Sequence, residues 1–401
     1  MAGALFKIGL SAVVLLALFF QVFLKEAIWL GLGIGRVTQP LSDFPYTCRK
    51  IADPQMEACE DMWFSESTRQ LFLACSDPLA RPQWMPNVAR LNVSGRSQKD
   101  SIVALDVDKP IKGSFELRTL KTPGFSGTAG DGLLNLVGFT GIDSSDSDSD
   151  GLELLVINNQ PSVDAEGKID DQQANGANAT IELFQTGAGA TELKHVKTYA
   201  ETQIATPNRV AAISRDVFYV TNDHGPHKNG LRHHLAFLLK AGNAVFCEAG
   251  KGCRTVAGGM KFPNGLARDK DGLIYVPCSL TGTITVFRPL PDNSLEQIDV
   301  INIGYSIDNV SIDANGDIWV AAFPAGFATL TAYNDPLNSH PAATALRIKK
   351  VEGKWVVEKV IEDAEGAVLP VATTIVHDAK TGRLFFSSVI SPSIAVCDPK
   401  A

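Results

Sequence analysis

Six short runs in this chain share one pattern, and their recurrence restricts the fold more than any other feature. They are RQLFLAC from Arg69, LELLVIN from Leu152, DVFYVTN from Asp216, LIYVPCS from Leu273, DIWVAAF from Asp317 and RLFFSSV from Arg383. Aromatic, β-branched and other apolar residues dominate each run, and Gly, Asp and Asn bound them, as expected for buried strands between turns. The fourth, fifth and sixth runs follow DKDG, DANG and KTG, which supply the residues of tight hairpins. Successive runs begin about 45 to 65 residues apart, with one longer gap. This is the period of four-stranded propeller blades carrying loop insertions. The expectation is an all-β fold, a six-bladed β-propeller over residues 37–401.

Residues 1–36 belong to a different class of structure. Ile8 to Leu24 carry no charge, Lys7 precedes them, Lys25 and Glu26 interrupt, and a second apolar stretch runs from Ala27 to Ile34 before Arg36. A hydrophobic helix of this length is either a secretory signal or an uncleaved signal anchor. No small-x-small cleavage pattern follows it, which favours the anchor. Either reading sends the remainder to a lumenal or extracellular compartment, membrane-anchored or secreted. Seven cysteines fit an oxidising compartment, and the odd number leaves at least one unpaired. A Cys48–Cys397 bond would join the first and last strands of the propeller. Cys247 and Cys253 flank a short Gly-containing loop and read as a hairpin staple. Asn92 and Asn178 are candidate glycosylation sites, whereas a third sequon, at Asn309, falls inside the protein. A formal net charge of -8 provides no basic footprint for a nucleic acid.

Oxygen-bearing residues recur at a fixed distance from the runs. Eleven residues before the central aromatics Phe72, Tyr219, Tyr275 and Trp319 stand Asp61, Asn208, Asn264 and Asp308, and Glu60 and Asn309 adjoin two of them. Taken singly, each is a candidate Asx-turn at the start of a strand. In a radial repeat, equal offsets place residues at equal heights, and the innermost strands start at the central channel, so the donors converge on one axis. Glu60 and Asp308 contribute two negative charges; Asn208, Asn264 and Asn309 contribute neutral carbonyl oxygens. Such a set suits a hard divalent cation such as calcium and suits zinc poorly, because it contains no His or Cys.

These residues, with CEDMWF, LLVIN, IELF, FYVTNDH, FPNGLA, SIDNVSID, GDIWVAA and Cys397, resemble the calcium-dependent paraoxonase/arylesterase family from about Cys48 to Cys397. The resemblance implies a six-bladed propeller with a retained hydrophobic N-terminus, a first-to-last cysteine clasp and two axial calcium ions. It implies that Glu60, Asn208, Asn264, Asp308 and Asn309 hold the catalytic calcium. For the family's structural calcium it points to Asp61, a backbone carbonyl at Ile142, and an acid that is replaced here by Arg209. A guanidinium beside Asp61 would fill that second site by a salt bridge, so one calcium is expected. The family's histidine dyad falls on Thr140 and Asn159, neither of which is a base near neutral pH, and a further channel histidine falls on Phe323. His224, which alone would read as a hydrogen-bonded loop histidine, becomes with the resemblance a pocket residue with Asp223 as its orienting partner. Glu60 or Asp308 is the alternative base.

Other segments carry less chemistry. Ser144 to Gly151 alternates Ser and Asp but lacks the Glu that a calcium-binding EF-hand needs, since Ile157 stands there, and reads as a solvated acidic hairpin. Pro161 to Ala179 reads as a flexible surface insertion. Leu231 to Lys240 is expected to form a short helix that covers the channel mouth, rests on a membrane or serves as a packed connector. No G-x-S-x-G, P-loop or H-E-x-x-H motif occurs. The functional expectation is a calcium-dependent hydrolase of small carboxylic esters, of the arylesterase or lactonase type. The alternatives are a non-enzymatic calcium-stabilised binding module and a strictosidine synthase-like enzyme.

Overall fold

Each of the six runs becomes the second strand of a four-stranded antiparallel sheet, and the six sheets form the blades of a propeller. The computed structural model describes residues 2–143 and 151–400, so that most of the acidic stretch Ser144–Gly151 lies outside the described residues. The innermost strands are Asp61–Ser65, Leu136–Asp143, Pro207–Ser214, Ala267–Arg268, Ser306–Ile312 and Ala372–Asp378, each in contact with its neighbours around the axis. Every residue is buried in the second strands Gln70–Cys75, Ile274–Cys278 and Ile318–Phe323. Blades stack face to face, so these strands are covered on both sides and read as continuous apolar runs rather than as an alternation. Six apolar clusters fill the spaces between adjacent blades; Phe72, Phe139 and Phe184 pack between the first and second, for example, and Val286, Ile318 and Val320 between the fourth and fifth.

The ring is closed by an exchange of ends. Tyr46–Ile51 pairs antiparallel with Ile394–Pro399, making the N-terminal strand the outermost strand of the last blade. Cys48 lies opposite Cys397 in that register and is bonded to it. The expected Cys247–Cys253 staple is also formed. A third bond, Cys59–Cys75, was not anticipated; it ties the entry of the first blade to the end of that blade's second strand. Cys278 is the free, buried cysteine, and burial pushes its thiol up to about 12.

Residues 161–179, read as a surface insertion, are exposed over most of 164–175 and contain one short helix. Asp171 caps a short helix, Gln172–Asn175, by accepting from the backbone N–H of Gln173 and Ala174. The buried Gln172 side chain donates to the Ser162 carbonyl and accepts from the Ser162 N–H, both at 2.9 Å. Most polar side chains here are exposed, and several also make local hydrogen bonds. Of the two sequons expected to carry glycans, Asn92 is exposed and Asn178 half-buried; Asn309 is buried on the axis, as expected.

The N-terminal helix runs over Ala2–Phe19, a one-turn π segment at Phe20–Leu24, and Lys25–Leu32. Lys7–Leu32 is long and apolar enough to cross a membrane. Its outer half exposes Val13, Leu15 and Leu16, whereas Ala27, Leu30 and Gly31 are buried on the propeller. Gly31 packs closely there: a Cβ would meet the Phe327 ring at 2.5 Å, and that ring would have to turn aside. Arg36 fixes the exit: its guanidinium donates to the carbonyls of Pro324 and Gly304 and lies 3.8 Å from the Tyr305 ring.

The clasp spans 349 residues and the hairpin staple six. A longer closed loop constrains the unfolded chain more, so removing Cys48–Cys397 by paired serine substitutions should cost about 3–5 kcal/mol in urea unfolding. Removing Cys247–Cys253 should cost roughly 2 kcal/mol or less.

Candidate metal centre and binding cavity

Strand register identifies which residues share a height on the axis. Phe72 pairs with Trp63, Tyr219 with Ala211, Tyr275 with Ala267 and Trp319 with Ser311. Three residues before those partners stand Glu60, Asn208, Asn264 and Asp308. The first hairpin is one residue longer than those of the third, fourth and fifth blades, which is why a fixed count along the sequence reaches Asp61 there instead of Glu60. Leu155 and Phe385 occupy the corresponding place in the second and sixth blades and pair with Thr140 and Val376, so the same rule yields Val137 and Thr373. All six residues line one cavity of about 420 Å³ at one end of the channel. The inner hairpins lose regular pairing at this height in four blades, between Leu136 and Phe139, Pro207 and Val210, Ile307 and Val310, and Ala372 and Thr374. Such bulges re-aim side chains that would otherwise stand over the blade face.

The floor of this cavity is a cradle of oxygen atoms. Asn309 donates from Nδ2 to Glu60 Oε1 at 3.0 Å and to Thr374 Oγ1 at 2.8 Å. Thr373 donates to the Glu60 carbonyl at 2.7 Å, and the single hydroxyl proton of Thr374 is shared between that carbonyl at 3.0 Å and Asp61. Asn264 bridges from its Oδ1 to the Gly265 N–H and from its Nδ2 to Ser279. Gly265 is the residue that admits Asn309, since a Cβ would fall 1.7 Å from Asn309 Oδ1. Despite this bonding, Glu60 Oε2, Asn208 Oδ1 and Asn309 Oδ1 are buried with no protein partner. Orphaned buried oxygens are costly, and three from different blades around the axis are a cost that a cation would relieve.

The electrostatics agree. Burial, together with the charges of Asp61 and Asp308, raises the Glu60 carboxyl well above its usual range. Asp308, open to the cavity but shielded from bulk solvent, is pushed up to about 8 by burial and by the charge of Asp61, against hydrogen bonding from Asn264. Two carboxylates held this way lack positive charge. The nearby buried cations are committed elsewhere: Arg81 donates to the Leu136 and Ala58 carbonyls and is offset by Asp100. Among the described residues no group of three or more His, Cys, Asp or Glu has metal-holding geometry. The cradle instead combines two acids with three amides, a hard-cation donor set.

Asp61, expected among the ligands, points away from this cavity. It is fully buried and accepts from Arg209 Nε at 2.8 Å, Phe139 N at 3.0 Å, Met62 N at 2.8 Å and Thr374 Oγ1 at 3.1 Å. Arg209 also donates to the carbonyls of Val310 and Met62, so one ion pair fastens the first, second, third, fifth and sixth blades at the axis. The second-blade group facing Asp61 is the Phe139 amide; Ile142, where the resemblance placed a carbonyl, lies with Thr140 at the opposite channel mouth. Asn159 also lies off the cradle cavity, bonded to Asn87 and Trp84. The second-blade residue that does line the cavity is Val137, and Phe323 lines it as expected.

His224 lines the cavity, with Nδ1 2.6 Å from Asp223 Oδ1, and Asn87 donates to Asp223 Oδ2 at 2.6 Å. The His224 ring is stacked on His233 at 3.7 Å with 8° between planes, and Phe262 meets it edge-on. Burial and the neighbouring His224 push His233 down to about 4. The segment expected to cover the mouth forms two short helices, Gly230–His234 and Ala236–Leu239, which bring His233, His234 and Phe237 to the cavity wall. Leu24, Ala27, Ile28 and Gly31 of the N-terminal helix complete the wall on another side. Sequence reading missed Val137, Thr373, Asn87 and Tyr333. Strand register would have found the first two; the others come from connecting segments that obey no repeat.

The site is thus that of a six-bladed propeller with an oxygen-donor cradle on its axis, roofed by apolar helices. The arylesterase family model matches residues 171–394, and the chain belongs to that family. It is 30% identical over 225 residues to serum paraoxonase/arylesterase 1 of Mus musculus, covering 55% of this chain and 61% of that protein. It is 33% identical over 175 residues to serum paraoxonase/arylesterase 2 of Rattus norvegicus, covering 43% of this chain and 48% of that protein. The chain therefore spans about half to three-fifths of the length of the curated relatives it matches. Among solved structures, a luciferin-regenerating enzyme superposes with a TM-score of 0.49 at 11% identity, over 88% of this chain and 95% of the other.

The axial ion pair generates a stability prediction. Arg209→Met leaves the buried Asp61 carboxylate without its cation and should cost about 3–5 kcal/mol in urea unfolding. Adding Asp61→Asn should recover a large part of that loss, a coupling that a double-mutant cycle measures directly.

Proposed function

We propose that this protein is a calcium-dependent hydrolase of carboxylic esters, of the arylesterase or lactonase type, working in a lumenal or extracellular compartment. The observation that carries the reading is the set of three buried, unpartnered oxygens of Glu60, Asn208 and Asn309 beside the two uncompensated carboxylates. Glu60, Asn208, Asn264, Asp308 and Asn309 would hold one calcium. When bound, calcium supplies a positive centre that polarises an ester or lactone carbonyl and stabilises the developing oxyanion. Names of the relatives, which include arylesterase and paraoxonase, support the same reaction class.

The protein's own groups do the remainder. Apolar residues of the wall, among them Phe262, Phe237, Phe327 and Leu280, take the hydrocarbon part of the substrate and exclude bulk water. Asp223 fixes the His224 ring through Nδ1, leaving Nε2 to accept the proton of the attacking water. Stacking on His233 holds the plane of that ring against the cavity wall. Asp308, which opens to the cavity, is the alternative acceptor. Apolar residues exposed on the outer half of the N-terminal helix support anchoring in a membrane, with the buried inner half holding the propeller beside it.

A binding module without turnover is the second reading, and Val137 and Phe323 favour it, since two cavity positions that could carry a base are apolar. A panel of phenyl esters and lactones, assayed with and without chelator, separates the two. Chelator-sensitive hydrolysis supports the enzyme; chelator-dependent unfolding with no turnover supports the binding module; full turnover in metal-free protein overturns the calcium assignment. Asn264→Ala and Asp308→Asn should lower kcat/KM by roughly 100-fold or more, with partial recovery at high calcium for the milder change. His224→Gln should lower kcat by about 100-fold while calcium binding persists.

A further inference from the structure

Glu60 and Asp61 are consecutive, yet their carboxyl groups serve different sites: Glu60 lines the cradle cavity, and Asp61 is turned to Arg209. Successive side chains at a strand point to opposite sides, so both placements depend on one stretch of backbone. Both polar groups of the Glu60 backbone are engaged. Its N–H donates to the Ala74 carbonyl at 3.1 Å, and its carbonyl accepts from Thr373 at 2.7 Å. Asp61 pairs with Ala74 in strand register, which makes Glu60 and Cys75 the next residues on the two chains. Cys59, beside Glu60, is bonded to Cys75. The disulfide, the two short lengths of chain and the Glu60–Ala74 hydrogen bond therefore close a small ring that contains the Glu60 N–H.

The chain enters this ring through a strained residue. Ala58 has a φ of 46°, in the left-handed region that a side chain with a Cβ disfavours. It is fully buried, its N–H donates to the Ser391 carbonyl at 2.7 Å, and its carbonyl accepts from Arg81 at 3.1 Å. Such a conformation persists only where the surroundings over-determine it, and it gathers at functional sites. One residue separates Ala58 from Glu60, and that residue is Cys59. Opening its bond to Cys75 removes the covalent tie between the strained turn and the first blade's second strand, and Glu60 is the next residue to move. The other two disulfides lie on outer strands: Cys48–Cys397 joins Tyr46–Ile51 to Ile394–Pro399, and Cys247–Cys253 joins Gly242–Glu248 to Gly252–Met260. Neither adjoins a cradle residue in the sequence.

We propose that Cys59 and Cys75 are positioning residues for the cradle: their bond sets Glu60, and through Glu60 the affinity for calcium, so that calcium binding and the redox state of this one disulfide are linked. Linkage is reciprocal, so calcium held at the cradle makes Cys59–Cys75 harder to reduce by the same factor by which the bond strengthens calcium binding. This rests on the calcium reading of the cradle and not on turnover. Reduction consumes a dithiol, whose two thiols are oxidised to a disulfide while Cys59 and Cys75 become thiols, two electrons and two protons passing from one pair of sulfurs to the other.

The test equilibrates the wild-type chain over a range of reduced-to-oxidised dithiothreitol ratios, with calcium or with chelator, then alkylates the free thiols and maps them by mass spectrometry so that each disulfide is read separately. Calcium should move the midpoint of Cys59–Cys75 roughly tenfold towards reductant, the scale on which residues supporting a metal ligand act, or about 30 mV for a two-electron couple. Cys247–Cys253 should stay in place. By isothermal titration calorimetry, the paired variant Cys59→Ser/Cys75→Ser should bind calcium roughly tenfold more weakly than wild type, while Cys247→Ser/Cys253→Ser binds it as wild type does. Equal protection of both disulfides by calcium, which is what general stabilisation of the fold produces, would overturn the proposal, as would no protection of Cys59–Cys75. If the paired variant does not fold, the equilibrium on the wild-type chain decides alone. Calcium bound equally by wild type and the folded paired variant overturns this proposal and leaves the calcium cradle standing; a wild-type chain that binds no calcium overturns both.

Discussion

The arrangement at the axis depends on negative charge that the protein does not itself neutralise. Glu60 and Asp308 arrive from different blades and are shielded from bulk water, and the guanidinium groups of Arg209 and Arg81 nearby are committed to Asp61, to Asp100 and to backbone carbonyls. Asn208 and Asn309 add carbonyl oxygens with no hydrogen-bond donor. Isolated buried carboxylates cost several kcal/mol each by order of magnitude, so a folded protein retains them where a counter-ion joins them. The bulged inner strands, Gly265 with no side chain to obstruct Asn309, and the threonines that hold Glu60 all serve to position those oxygens.

One step along the axis the same problem has a different solution. Asp61 and Arg209 neutralise one another without leaving the chain, and every oxygen of Asp61 is hydrogen-bonded. The two sites are adjacent yet chemically distinct: one is complete as protein, the other is completed from outside. This difference supports one calcium per chain. It also divides labour, because the ion pair fastens five blades together regardless of metal, leaving the cradle free to face the cavity and its ligand.

Much of this was legible in the sequence. The six runs and the hairpin staple are read from composition and spacing, the end-to-end clasp is implied by the family resemblance, and the structure contains all of them. The offset from the central aromatics points to Asn208, Asn264 and Asp308, while Glu60 and Asn309 enter as their neighbours and through the family resemblance. The same offset also drew Asp61 into the set, because a constant count cannot see that the first hairpin is one residue longer. Carrying family positions onto Thr140 and Ile142 failed for a related reason: a shift of a few residues along an inner strand moves a side chain from one channel mouth to the other. Asn87, Tyr333 and the stacked His233 were beyond reach, since connecting segments have no period and their contacts are fixed only by tertiary packing. Cys59–Cys75 was hidden because pairing among seven cysteines is not determined by their number.

The central claim is that the cradle holds one calcium and that Arg209 substitutes for any second. Native mass spectrometry of protein dialysed against calcium, repeated after chelation, counts the ions directly. The account predicts one calcium per chain that chelator removes and that Asp308→Asn fails to retain. Two ions per chain, or none at a calcium concentration that supports full stability, would contradict it.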